Sequence, residues 1–206
     1  MAIPCTGVIL AGGQNSRMNR TNKAFLSING QRFIDRLIEV YRLFFDDIII
    51  VTNNPQEYYD LDVRIATDIY KKKCPLAGIH AGLFHAANPW IFVLPCDLPF
   101  IRKEMIQTLL DHINPNFSVV IPETSMGMEA LFALYSRENM NAIEHCLETD
   151  RLKIRDFFKS KQIRKVPEKR LRAVDPELFS FFNVNSPLEL EKAISMENHS
   201  GRRTEL

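Results

Sequence analysis

Five short runs of the chain are apolar with little interruption: residues 7–11, 48–51, 63–66, 90–94 and 118–121. They are rich in β-branched or aromatic residues, and three are apolar on both faces. Such runs predict strands of a mostly parallel sheet covered on both sides, because a half-solvated strand would alternate apolar with polar. Between them, residues 33–44, 77–87 and 103–113 carry apolar side chains at helical spacing, as in Phe33, Leu37, Ile38, Tyr41 and Phe44, or Met105, Ile106, Leu109, Leu110 and Ile113. The β-α-β-α-β alternation predicts a doubly wound α/β sheet with helices on both faces.

From Pro122 the pattern changes to that of an antiparallel hairpin, with Met126 and Gly127 in the turn and a strand over 131–135. Helices are expected over 139–148 and 152–158, and short strands over 163–166 and 171–174. Ser186 and Pro187 open a last helix through Ile194, with Ser at the cap and Pro just inside it. The polar segment 197–206 reads as a frayed tail. No linker divides the chain, so residues 1–196 are expected to form one domain.

Composition narrows the class without changing this picture. The length of 206 residues suits one domain. Twenty-six basic against 25 acidic residues leave a net charge of +1, so no overall field draws in nucleic acid or an anionic membrane, and an anionic ligand must be caught locally. Apolar residues at 46% and charged ones at 25% exclude disordered, collagen-like and disulfide-scaffold classes. Cys5, Cys74, Cys96 and Cys146 form no C-x-x-C pair, which argues against a zinc or redox site; Cys5 and Cys96 read as reduced, buried, small hydrophobes. No apolar run approaches the ~18 residues needed to span a bilayer, and a cytoplasmic location is expected.

The first apolar run leads straight into Gly12 and Gly13, with Ser16, Arg17 and Lys23 close behind. In an open α/β sheet ligands bind outside the carboxyl ends of the strands. Glycines there let backbone N–H groups approach a phosphate or a base edge. Arg17 adds a planar fork for phosphate oxygens and Lys23 a compact charge on a flexible stem. The segment is neither the Walker loop nor the G-x-G-x-x-G of dinucleotide-binding folds. A plain corner with solvated cations would use the same residues. Asp97, in Pro95-Cys96-Asp97-Leu98-Pro99, falls at the carboxyl end of a second buried strand. A carboxylate in a proline-stiffened loop suits a hard cation such as Mg²⁺, which keeps most of its waters; capping of the next helix is the alternative. Asp68 is a second carboxylate on this rim with the same ambiguity.

Taken in order, 10–18 (Leu-Ala-Gly-Gly-Gln-Asn-Ser-Arg-Met), 23–26 (Lys-Ala-Phe-Leu), 75–79 (Pro-Leu-Ala-Gly-Ile) and 95–99 (Pro-Cys-Asp-Leu-Pro) resemble the molybdenum cofactor guanylyltransferases, within the sugar-nucleotide type of nucleotidyltransferases. The likeness continues through 131–135 and through Asn183-Val184-Asn185-Ser186-Pro187. It implies a Rossmann-like three-layer α/β/α sandwich and transfer of GMP from GTP to Mo-molybdopterin. By resemblance, Leu10, Ala11, Gly12 and Gly13 contact the nucleotide, Lys23 its phosphates, and Asn53 and Asp68 the guanine and ribose regions. Asp97 matches the Mg²⁺ ligand, and Asn183 and Asn185 an element facing the pterin. Arg17, Lys23 and Asp97 are then the catalytic residues, 1–121 the nucleotide-binding half and 122–196 the acceptor-side half. Gly12 favours guanine over a pyrimidine base.

The chain departs from the family pattern at Asn19, Asn22, Cys74 and Ala130; at Asn22 a charge that would orient Lys23 or Arg17 is lost. The rival readings are a relative using CTP or another phosphorylated acceptor, and a nucleotide-binding protein impaired in catalysis. Implied partners are GTP, Mo-molybdopterin and proteins that deliver molybdopterin or mature molybdoenzymes, with a monomer expected. The basic run 71–73 and the basic residues over 151–172 read as solvated surface.

Overall fold

The computed structural model describes residues 4–12, 22–158 and 162–201, with the backbone alone for 199–201. In chain order the elements are β1 (Cys5–Leu10), β2 (Ser27–Ile28), β3 (Gln31–Arg32), α1 (Phe33–Tyr41), β4 (Ile48–Val51), β5 (Arg64–Ala66), α2 (Pro75–His85) and β6 (Trp90–Pro95). They continue with α3 (Lys103–Leu110), β7 (Val119–Thr124), β8 (Gly127–Met128), β9 (Ala133–Ser136), α4 (Met140–Glu148), β10 (Ile163–Pro167), α5 (Glu168–Val174) and α6 (Pro187–Gly201). The main sheet has the order β10-β7-β9-β6-β1-β4-β5, with β8 paired to β7. All its path pairs are parallel except those of β9, which runs antiparallel to both β6 and β7. Strands from both sides of Pro122 share this one sheet.

Every residue of β1 and β4 is buried, as the continuous apolar runs require. Side chains alternate between two cores. Ile9, Ile50, Phe92 and Leu94 pack with Leu37 and Tyr41 of α1 and Met105 of α3. Val8, Val51, Ile91 and Val93 pack on the other face with Leu76, Ile79 and Leu83 of α2 and Ile143 and Leu147 of α4. The result is a mostly parallel sheet between two helical layers, a three-layer α/β/α arrangement. Helix α2 has apolar residues all round because it lies between the sheet and α4, with 76–83 buried throughout. It sits close to the sheet because Gly78 has no side chain: a Cβ there would stand 3.0 Å from Leu10 Cδ2.

Three expected elements differ. The 171–174 segment is the end of helix α5, not a strand; with only Leu171, Ala173 and Val174 apolar, four residues fit either period, and the helix that follows β10 directly from Glu168 takes them up. The expected helix over 152–158 reduces to a 3₁₀ turn at Ile154–Asp156, after which Phe157 and Phe158 turn inward against the core. Helix α6 continues through the start of the supposed frayed tail to Gly201, where the Arg36–Glu197 ion pair at 2.9 Å holds it to α1.

Candidate active site

After β1 the chain builds β4 and β5 on one side and then crosses to β6 on the other, so strand order reverses between β1 and β6. That is where an open α/β sheet leaves a crevice at its carboxyl edge. Leu10 and Pro95 are in register there. The Cys96 N–H donates to Leu10 O at 3.1 Å and the Ala11 N–H to Val51 O at 2.9 Å, fixing the three strand ends together. A cleft of about 760 Å³ opens above them, lined among others by Leu10, Ala11, Gly12, Lys23, Asn53, Asp68, Cys96 and Asp97. Gly12 is exposed, and a Cβ built on it meets nothing within 4 Å among the described residues. Its φ is also outside the left-handed range. Openness toward the cleft, not a backbone turn, is therefore what glycine provides here.

Lys23 opens the 3₁₀ turn Lys23–Phe25, capped by Asn22, whose Oδ1 accepts from the Ala24 N–H at 3.0 Å. The Asn22 Nδ2 donates to Tyr58 Oη at 2.8 Å and to Glu57 Oε2 at 2.5 Å. Asn22 thus caps the turn that carries Lys23. From this turn the Lys23 Nζ reaches Asp97 Oδ2 at 3.2 Å and Asn185 Oδ1 at 2.5 Å. Residues separated by 74 and 162 positions in the chain meet at this one ammonium.

The Asp97 side chain is only 14% exposed, and its Oδ1 is buried without a hydrogen-bond partner among the described residues. Burial raises its pKa above the ordinary carboxylate value, and Lys23 only partly offsets this. The neighbouring Cys96, half-buried on the cleft wall, is pushed up to about 12, by burial first and then by Asp97, and stays a thiol at neutral pH. On the other side of the cleft Asn53 Nδ2 donates to Asp68 Oδ2 at 2.7 Å. Burial raises the Asp68 pKa, and Asn53 and His80 pull against it.

Among the described residues no three His, Cys, Asp or Glu side chains converge as a closed metal site. A single carboxylate with an unused buried oxygen does suit a cation whose other ligands are waters and substrate phosphates. Gly13 and Arg17 lie outside the described residues. Asn183 is exposed, and among the described residues no hydrogen bond joins it to the Lys23 group. Lys73, Cys74 and Leu131 line the cleft although the sequence reading gave them no role there. Lys73 lies in the run read as solvated, and nothing in three consecutive lysines marks it out; its neighbour Lys72 pairs with Asp150 at 2.5 Å. A second cleft of about 640 Å³, near His112, Arg164 and Arg170, is remote from the strand ends and holds none of the candidate residues.

Residues 7–166 match the model of the MobA-like NTP transferase domain. A molybdenum cofactor guanylyltransferase from Desulfosudis oleivorans is 42% identical over 188 residues, covering 91% of this chain and 93% of that protein. Molybdopterin-guanine dinucleotide biosynthesis protein A from Archaeoglobus fulgidus superposes with a TM-score of 0.82 at 25% identity, over 94% of this chain and 99% of that one. A 2-C-methyl-D-erythritol 4-phosphate cytidylyltransferase from Thermus thermophilus reaches a TM-score of 0.67 at 13% identity, over 93% and 98% of the two chains, a likeness of fold alone.

Proposed function

The chain belongs to the molybdenum cofactor guanylyltransferases, nucleotidyltransferases with a MobA-like NTP transferase domain, and we propose that it transfers GMP from GTP to the phosphate of Mo-molybdopterin, releasing pyrophosphate. The observation that carries this reading is the Lys23–Asp97 pair beside the open backbone at Gly12, at the crevice where strand order reverses.

The reaction is an in-line attack by the acceptor phosphate on the α-phosphorus of GTP. It needs no covalent enzyme intermediate, so the protein contributes position and charge. Leu10, Ala11, Gly12 and Gly13 contact the nucleotide, while Asn53 and Asp68 take its guanine and ribose end. Lys23, with Arg17, steadies the charge that gathers on the departing pyrophosphate. Asp97 would hold Mg²⁺, since its carboxylate keeps a buried oxygen that no group among the described residues engages. Bound there, Mg²⁺ supplies charge neutralisation across the reacting phosphates. Asn183 and Asn185 lie on the acceptor side, so 1–121 serve the nucleotide and 122–196 the acceptor within one domain; the Asn185–Lys23 bond supports that division. We place the enzyme in the cytoplasm as a monomer that receives molybdopterin from delivering or molybdoenzyme-maturation proteins. Among the described residues no helix is long and apolar enough to cross a membrane.

Pyrophosphate release with Mo-molybdopterin and Mg²⁺, compared for GTP, CTP and UTP, tests the reading. GTP is expected to be used at least tenfold better than either pyrimidine nucleotide; preference for CTP overturns the assignment of the base.

A further inference from the structure

Behind Lys23 lies a second layer of contacts that the reaction as described leaves unused. Ser186 caps α6, its Oγ accepting from the Glu189 N–H at 3.3 Å. Glu189 returns the contact, accepting from the Ser186 hydroxyl at 3.0 Å. Such a reciprocal pair is an ordinary helix start, in which the acidic side chain reaches back to the cap residue. Here it reaches one residue further: Glu189 Oε2 accepts from the Asn185 backbone N–H at 2.8 Å. Asn185 is the residue whose side chain receives Lys23. One position earlier, the Val184 N–H donates to Asp97 O at 3.0 Å, and the Val184 side chain is fully buried with Ile28, Phe33 and Ala193. The 184–185 segment is thus held to the Asp97 loop on one side and to Glu189 on the other.

We infer that Glu189 is a positioning residue for guanylyl transfer: by holding the Asn185 backbone it fixes the Asn185 side-chain oxygen against Lys23, and through it the place of the Lys23 charge. Without Glu189 the Asn185 N–H loses its acceptor and the peptide is free to rotate, carrying Oδ1 away from Nζ. Among the described residues Lys23 then keeps Asp97 alone. The Glu189 carboxylate is suited to this task, because the Asn185 N–H, outweighing burial, keeps its pKa below the ordinary value and the side chain is ionised at neutral pH. The same carboxylate is near enough to Asp97 to oppose its ionisation, while the Lys23 ammonium lies between Asp97 Oδ2 and Asn185 Oδ1.

The inference rests on reading Lys23 and Asp97 as the phosphate-handling pair, and the experiment separates the two. Steady-state kinetics with GTP and Mo-molybdopterin, together with thermal melts, are measured for Glu189→Ala, Glu189→Gln and Ser186→Ala. Glu189→Ala is expected to lower kcat about tenfold or more, the scale of a displaced positioning group, with KM for GTP within about twofold. Glu189→Gln keeps an oxygen for the Asn185 N–H and is expected to stay within about threefold of wild type. Ser186→Ala loses the helix cap but leaves the Asn185–Glu189 bond, so its melting temperature falls while kcat does not. Wild-type kcat in Glu189→Ala overturns the inference, as do equal losses in Glu189→Ala and Ser186→Ala, or failure of Glu189→Gln to restore the rate. If Lys23→Met and Asp97→Asn keep full turnover in the same assay, the reading of the pair fails instead.

Discussion

Replacing Asp97 by Asn removes one charge and almost no volume, and it should leave folding nearly intact while cutting turnover sharply. At 3.2 Å the Lys23–Asp97 attraction is about 5 kcal/mol for an effective dielectric near 20. Burial opposes it, and the pKa of Asp97 is nevertheless raised, so the cost of holding the buried charge exceeds what Lys23 returns. A carboxyl whose folded pKa lies above its unfolded one stabilises less as pH rises through that interval; at neutral pH the folded protein bears the whole penalty. Asn escapes the penalty and still offers an oxygen to Lys23, which also keeps Asn185. Stability of Asp97→Asn is therefore expected within about 1 kcal/mol of wild type or above it, a fall in Tm of no more than about 4 °C. Turnover loses a positioned charge, which costs about 2.7–4 kcal/mol in the barrier, or 10²–10³-fold. Differential scanning calorimetry and a pyrophosphate-release assay read the two quantities. Wild-type turnover refutes the role given to Asp97, and a Tm lowered well beyond 4 °C refutes the electrostatic accounting.

Other perturbations test neighbouring parts of the account. Lys23→Met should cut turnover at least a hundredfold and shift the acid limb of the residual pH–rate profile upward, since Lys23 is what lowers the Asp97 pKa; an unmoved limb contradicts the pairing. Gly12→Val adds atoms only to the open cleft, so calorimetry should show an unchanged melt while titration calorimetry shows GTP binding weakened about tenfold or more; a lowered Tm with intact binding contradicts this. Asp47, at the opposite edge of the sheet, accepts from Thr6 Oγ1 at 2.8 Å, the Ala87 N–H at 2.9 Å and Arg64 at 2.8 Å. Asp47→Ala should cost about 2–3 kcal/mol, or about 4–12 °C in Tm, without changing KM for GTP. Burial pushes the Asp47 pKa up, but these donors outweigh it and leave it lowered. Its stabilisation is thus full above the unfolded value of about 3.9 and disappears as pH falls through the lowered folded value, which chemical denaturation across pH reads out.

The continuous runs at 48–51 and 90–94 were legible because a parallel strand covered on both faces has no polar position to disguise it. Short segments were not: 171–174 and 152–158 hold too few turns for period alone to choose, and tertiary packing of Phe157 and Phe158 chose for the second. Gly12, Lys23 and Asp97 could be found from the sequence because strand ends in an open sheet converge. The contact of Lys23 with Asn185 could not, since only the folded chain brings a residue of the first turn beside one just before the last helix. The reach of Glu189 was half visible: Ser186 with Glu189 three positions on is a capping signature, but its extension to Asn185 is a matter of backbone geometry.

The central claim is that this cleft joins GMP to molybdopterin. Mass spectrometry of the pterin products after incubation of the protein with Mg²⁺, GTP and Mo-molybdopterin addresses it directly. The expected result is molybdopterin guanine dinucleotide with one pyrophosphate released per product. Recovery of unmodified molybdopterin from enzyme that binds GTP, or a cytosine dinucleotide as the preferred product when CTP competes with GTP, contradicts it.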